Sequence, residues 1–238
     1  MIDYSAADGV ARITFNTPQT HNHFTYQLML DYIAALDAAR ASGARVLVIA
    51  AEGEHFTLGR DQKEVRPDVP RRQNLGLILK ANAALRAFPG VSIALVNGRA
   101  MGFGSGVSLH TTISLAADDA IFGFDEIGHG LAPLIVQVYL PYFIAPRTAL
   151  ELVATGRDVS AEEAARIGLV SRVVPKAQLK AEGEALVEKL RANSAAALSL
   201  ITAFGREVNG YPDPALGEAA ADRLAEWIAA GKPVLAGA

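Results

Sequence analysis

The chain has 238 residues, of which 51% are apolar and 20% charged. That composition supports a packed core and excludes a largely disordered chain. Its 22 basic and 25 acidic residues leave a net charge of −3, so binding to nucleic acid or to an anionic membrane through a broad electrostatic field is not expected. There is no cysteine, which removes disulfides, thiolate metal sites and a cysteine nucleophile from consideration. The opening Met1-Ile2-Asp3-Tyr4 lacks the basic-then-apolar pattern of a secretory leader, and a cytoplasmic location is expected. The long apolar stretch 131–144 contains Pro133, Gln137 and Pro141. It is too short and too broken to span a bilayer and reads as buried core or an oligomer contact.

Along the chain, residues 9–16 alternate Val10, Arg12 and Thr14 with Ala11, Ile13 and Phe15, the period of a strand. Thr25 is placed to cap a helix whose inner face carries Tyr26, Met29, Leu30, Ile33 and Leu36, ended by Ser42-Gly43. Val46-Leu47-Val48-Ile49 is a short continuous apolar run, the kind buried on both faces of a parallel sheet. A helix is predicted over 74–87, a third strand over 91–96 and a fourth over 120–124. Ser160 and Glu163 have the spacing of a capping box, Gly168 ends that helix, and 169–174 reads as a strand stopped by Pro175. Ser194 can cap the next helix. Asp213-Pro214 starts a last one carrying Leu216, Leu224, Trp227 and Ile228 and ending near Gly231. Repeated strand–helix alternation predicts a mostly parallel α/β core under a helical C-terminal part.

Three segments stand out as chemistry. Residues 97–106, Asn-Gly-Arg-Ala-Met-Gly-Phe-Gly-Ser-Gly, follow a strand and open a helix, so glycines there let a ligand approach main-chain N–H groups. A dinucleotide fingerprint fails because Val107 stands at the third glycine position. A nucleophile elbow on Ser105 fails because Phe103 precedes it by two. The segments 55–61 and 122–128 also follow predicted strands, so three strand ends can converge on one site. None of the histidines, His21, His23, His55, His110 and His129, falls in a metal-binding His-Glu-x-x-His pattern, and no metal site is expected. His23 and His55 read as surface residues.

The order of these segments resembles the enoyl-CoA hydratase/isomerase (crotonase) family over roughly residues 10 to 175. The likeness rests on Asn16-Thr17-Pro18 through Asn22, on 56–61, on 97–106, on 122–126, and on Gly156-Arg157-Asp158-Val159-Ser160-Ala161-Glu162-Glu163-Ala164 with Gly168-Leu169-Val170 and the closing Val173-Val174-Pro175. The resemblance implies a crotonase-like (ClpP/crotonase) spiral of βαβ units. Residues 1–190 would form the core, and 191–238 a helical trimerisation region that covers the site. It also implies a homotrimer or dimer of trimers and an acyl-CoA thioester as substrate, with coenzyme A arriving as part of that substrate and no separate cofactor. The main-chain N–H groups of Arg60 and Phe103 match the family's pair that holds the thioester oxygen as it becomes enolate-like. His21, Leu58, Gly59, Asp61, Gly102 and Gly104 match positions around the bound thioester. Losing one such fixed donor typically costs about 3–4 kcal/mol of transition-state stabilisation.

Family hydratases pair two glutamates. The second position is Glu126, but the first is Gly106, so an isomerase-like shuttle by one carboxylate is favoured over ordinary hydration. Leu134 occupies a place where some relatives carry an acid, and leucine cannot serve. His129 and His110 are possible second catalytic groups, which keeps a β-diketone or thioester hydrolase open. A catalytically inactive acyl-CoA-binding protein is the remaining alternative. Residues 60–72 hold five basic against three acidic side chains, a local excess suited to the phosphates of coenzyme A. His21 stands where relatives often place Lys or Arg for that nucleotide.

Overall fold

A computed structural model describes residues 1–232; the last part of the C-terminal region expected over 191–238, residues 233–238, lies outside the described residues. The chain opens with β1 (Ile2–Ala7) and β2 (Val10–Phe15), followed by α1 (Tyr26–Ala41), β3 (Val46–Ala51), α2 (Arg71–Arg86), β4 (Val91–Val96), β5 (Arg99–Met101) and α3 (Phe103–His110). Next come β6 (Ile113–Ala117), β7 (Ile121–Gly123), α4 (Leu134–Tyr139), α5 (Pro146–Thr155), β8 (Val159–Ser160), α6 (Ala161–Ile167) and β9 (Arg172–Val174). Three helices finish the described chain: α7 (Leu179–Arg191), α8 (Ala195–Asn209) and α9 (Pro214–Ala229).

Six strands form one sheet in the order β1-β2-β3-β4-β6-β9. The pairings from β2 to β9 are parallel, and β1 is an antiparallel edge. The continuous apolar runs predicted this: every residue of β4 is buried, as are Val46, Leu47, Val48 and Ile49 of β3, because helices cover both faces. The sequence reading misses β1, whose last four residues are exposed and carry no alternating signal. It also misses β6, the actual fourth parallel strand. The run predicted over 120–124 instead gives β7, which joins β5 and β8 in a separate three-stranded sheet.

The caps follow the expected chemistry. Thr25 Oγ1 accepts from Leu28 N–H, Ser194 Oγ from Ala197 N–H and an Asp213 carboxylate oxygen from Ala215 N–H. The box at α6 is half made. Ser160 Oγ accepts from Glu163 N–H at 3.2 Å, but the Glu163 carboxylate turns to Arg157 at 2.8 and 2.9 Å, a charge-assisted pair that outcompetes a reciprocal main-chain bond. On α1 the buried stripe is Leu28, Met29, Tyr32, Ala35, Leu36 and Ala39. Leu30, expected inside, is 36% exposed, since the stripe is set by the spacing from Met29 and Leu36.

Candidate active site

Three loops are laced together by main-chain bonds. Phe56 N–H donates to Asn97 O at 2.8 Å, Thr57 N–H to Arg99 O at 3.1 Å and Met101 N–H to Thr57 O at 3.0 Å. Gly102 N–H donates to Gly123 O at 2.9 Å, which adds β7 to the weave. The sequence reading expected this convergence of segments 55–61, 97–106 and 122–128. Asn22 fastens the edge. Fully buried and with φ of 55°, it accepts from Thr17 N–H at 2.8 Å and donates to the carbonyls of Glu52 and His55 at 2.9 Å each. Its amide thereby ties the loop after β2 to the loop after β3.

The weave fixes two amides. Phe24 N–H donates to Gly59 O at 2.8 Å, and Phe24 O accepts from Asp61 N–H at 3.0 Å. Both residues flanking Arg60 are bonded to Phe24, so the Arg60 main chain faces the other way. Phe103 is the first residue of α3, and its ring is buried edge-on against Phe24 with centroids 5.0 Å apart. Such ring pairs add about 0.5–1.5 kcal/mol and here anchor the N–H at the helix start, where developing negative charge is favoured. Among the described residues neither the Arg60 nor the Phe103 N–H donates a hydrogen bond. A Cβ on Gly59 would stand 2.7 Å from Met101 O and 3.5 Å from Phe103 N, so the loops meet closely at that point.

A cavity of about 610 Å³ opens beside these amides. It brings together His21, Leu58, Gly59, Arg60, Asp61, Gly102, Phe103, Glu126 and His129. Two expected residues lie elsewhere. Gly104 faces Thr57, whose Cγ2 would be 2.6 Å from a Cβ there, so that glycine serves the contact between α3 and the loop after β3. His110 is buried behind the cavity wall: its Nδ1 lies 2.6 Å from Gly106 O and its Nε2 2.7 Å from Tyr211 Oη. The carbonyl can only accept, so Nδ1 carries the proton and Nε2 accepts from the phenol. Burial lowers its pKa to about 4, and both nitrogens are engaged. His110 is therefore removed from the catalytic candidates and becomes a packing residue.

Glu126 sits in a short turn after β7, and its Oε2 is buried with no hydrogen-bond partner among the described residues. Burial pushes its pKa up to about 7, with Asp125 adding to the rise and its own main-chain N–H and His129 opposing it. Oε1 stands 3.0 Å from where a Cβ on Gly102 would be. This places the carboxyl against the residue preceding the Phe103 amide. His129 is half-exposed at the rim, with Nε2 3.2 Å from Asp125 Oδ2.

The basic stretch divides. Arg66 pairs with Asp68 and lies over the Tyr26 ring at 4.6 Å, and Arg72 pairs with Glu218 and Asp222. Lys63 and Arg71 line the cavity. The Arg60 side chain bonds Asn74, and its burial lowers the guanidinium pKa to about 10. His21, Glu54 and His55 each bring one possible ligand atom within 4.8 Å of one another, and of the three only His21 lines the cavity. His55 is mostly buried, with a side chain 15% exposed, so it is not the surface residue expected from sequence.

Sequence reasoning missed several lining residues. His23 lines the cavity, and so do Tyr139, Leu224 and Ile228. The apolar stretch 131–144, expected as buried core or an oligomer contact, contributes Leu131, Ala132, Pro133, Leu134, Ile135 and Val136 to the wall.

The model of the enoyl-CoA hydratase/isomerase family matches residues 5–226. A relative described as a probable enoyl-CoA hydratase of Mycobacterium tuberculosis is 37% identical over 71% of this chain, which spans 64% of that protein's length. The crystal structure of a probable enoyl-CoA hydratase from Mycobacterium thermoresistibile superposes with a TM-score of 0.85 at 28% identity, covering 96% of this chain and 97% of the other. That of human enoyl coenzyme A hydratase domain-containing protein 3 gives 0.81 at 26% identity over 94% and 89%. With its parallel spiral core and these matches, the chain belongs to the enoyl-CoA hydratase/isomerase family and has the crotonase fold.

Proposed function

We propose that the chain acts on an acyl-CoA thioester, holding the thioester oxygen between the main-chain N–H groups of Arg60 and Phe103 while Glu126 moves a proton. The observation that carries this reading is the buried Glu126 carboxyl packed against Gly102, its Oε2 without a hydrogen-bond partner, next to a helix-start amide with no hydrogen-bond acceptor among the described residues. In a 3-enoyl thioester the carboxylate takes a proton from the α-carbon. The C–H electron pair enters a dienolate whose charge gathers on the thioester oxygen, where two fixed donors in a dry site act without reorganisation. The carboxyl then returns the proton to the γ-carbon, and the double bond shifts into conjugation. Gly106 supplies no second carboxylate, which favours this shuttle over two-carboxylate hydration.

Lys63 and Arg71 on the cavity wall suit the phosphates of coenzyme A. Leu200, Ile201, Phe204 and Val208 on α8 are 60–70% exposed, an apolar face consistent with self-assembly of the family kind. A second reading rests on the His129–Asp125 pair at the rim: a histidine-assisted hydrolase would release a carboxylic acid. The deciding experiment is mass spectrometry of acyl-CoA thioesters incubated in D₂O. The shuttle predicts deuterium at the γ-carbon of the conjugated product, and at the α-carbon where the first step reverses, with the wild type and none with Glu126→Gln. A free acid product would favour hydrolysis, and tight binding without exchange would leave an inactive binder.

A further inference from the structure

We propose that the Tyr139 hydroxyl is a second catalytic group of this site: an O–H donor that holds a water molecule against the acyl chain so that Glu126 can add it across the conjugated double bond. The inference rests on the thioester reading above and extends it to a second reaction. A Cβ on Gly106 would stand 2.8 Å from Tyr139 Oη and 3.6 Å from its Cζ. The space beside α3 where residue 106 would project a side chain is therefore filled by the phenol, and glycine is what admits it. Tyr139 lines the same cavity as Glu126, Gly102 and Phe103.

Its hydroxyl makes no hydrogen bond to any described residue, whereas those of Tyr142 and Tyr211 bond Asn209 O and His110. Nor is it among the fully buried polar atoms without a partner, as Tyr32 Oη is, so the hydroxyl keeps some contact with solvent. A buried donor without a protein partner needs a ligand or water to satisfy it. The ring is held still. Its body is 3% exposed and meets the His110 ring edge-on at 4.7 Å, and His110 is itself tied to Gly106 O. One histidine thus fixes both the glycine and the phenol that replaces its side chain. Burial, and then the charge on Glu126, raise the phenol's pKa well above its ordinary value, so it stays protonated and donates.

The step balances. The Tyr139 O–H donates a hydrogen bond to the water oxygen without giving up its proton. The Glu126 carboxylate takes one water proton as the oxygen bonds to the β-carbon of a 2-enoyl thioester, and the double-bond pair moves into the enolate held by the two amides. The Glu126 carboxyl then protonates the α-carbon, giving the 3-hydroxyacyl thioester and a regenerated carboxylate.

The test compares two rates on one enzyme: hydration of a panel of short, medium and long 2-enoyl-CoA thioesters, and α-proton exchange of acyl-CoA in D₂O. Tyr139→Phe keeps the ring and its packing, and is expected to lower the hydration kcat by about 10²-fold, the low end for loss of one fixed hydrogen-bond donor, with KM and exchange within a few-fold of wild type. Gly106→Ala keeps the phenol but displaces its hydroxyl, and is expected to show the same split. Hydration by Tyr139→Phe at the wild-type rate overturns the assignment. So does a wild type that exchanges the α-proton but adds no water. A wild type that does neither overturns the thioester reading instead.

Discussion

Oε1 of Glu126 lies 3.0 Å from the point where Gly102 would carry a Cβ, and Gly102 has φ of +48°. Glycine there meets two demands at once: a backbone conformation that other residues adopt at about 1–3 kcal/mol, and room for the acid beside the Phe103 amide. Gly102→Ala is expected to destabilise the fold by about 1–3 kcal/mol and to lower the exchange kcat by at least about 10²-fold, as loss of a positioned base does. Denaturant melts and D₂O exchange check both; near-normal exchange in a folded variant would contradict the placement.

Glu126 gives a pH signature in activity and in stability. As a base it must be ionised, so kcat/KM for exchange should rise with pH and level off above about 7. Its folded pKa is raised, so the folded state holds the proton more tightly than the unfolded chain. The stability it contributes is complete below pH 4.5 and is lost as pH climbs to about 7. Glu126→Gln removes that loss and is expected to be more stable than wild type at pH 8 by something on the order of 3 kcal/mol. Urea midpoints at pH 5 and pH 8 measure the difference. A variant equally destabilised at both would show that the carboxyl is not desolvated.

His110 should titrate in the opposite sense. Its folded pKa is depressed to about 4 by burial, so the fold favours the neutral ring. The stability tied to that ring is present above pH 6.5 and is lost as pH falls toward 4. His110→Asn is expected to flatten the acid limb of the stability profile and to leave the pH dependence of exchange unmoved. A shifted activity profile would return His110 to the chemistry.

The Asn22 amide makes two hydrogen bonds within its own loop, both accepted from Thr17, and two that join it to the loop after β3, through Glu52 O and His55 O. Asn22→Ala leaves buried main-chain groups unpaired at about 1–3 kcal/mol for the most costly of them. A fall in melting temperature with a matching fall in kcat is expected, because the Arg60 amide depends on the same lacing. A variant as stable as wild type would show that the loops hold themselves.

Binding of coenzyme A thioesters should weaken as salt rises, because cavity-lining Lys63 and Arg71 make no ion pair among the described residues, unlike Arg66 and Arg72. The double variant Lys63→Ala/Arg71→Ala is expected to bind more weakly and with a shallower salt slope in isothermal titration. An unchanged slope would place the phosphates elsewhere.

Most of the parallel core was legible because continuous apolar runs such as 46–49 and 91–96 have few other uses in a chain of this composition. Short or exposed strands were not: β1 faces solvent over four residues, and β6 carries Ser114 in a buried hydrogen bond with Ser108 that breaks the apolar signal. The convergence of the segments around Arg60, Phe103 and Glu126 was legible from where they follow predicted strands, but the roles of those three residues came only from the resemblance to the family. Tyr139 was not legible, since its approach to Gly106 spans thirty-odd residues and depends on how α4 packs. His110 misled for the same reason: its place in the chain, just past the glycine loop, says nothing of which side of α3 it occupies.

The central claim is that two main-chain amides grip a thioester oxygen within reach of Glu126. A crystal structure of Glu126→Gln with a bound 2-enoyl-CoA tests it most directly. The account predicts the thioester oxygen at about 2.7–3.1 Å from both Arg60 N and Phe103 N, with the residue 126 side chain over the acyl α-carbon. A thioester bound in the cavity with its oxygen turned away from either amide would contradict it.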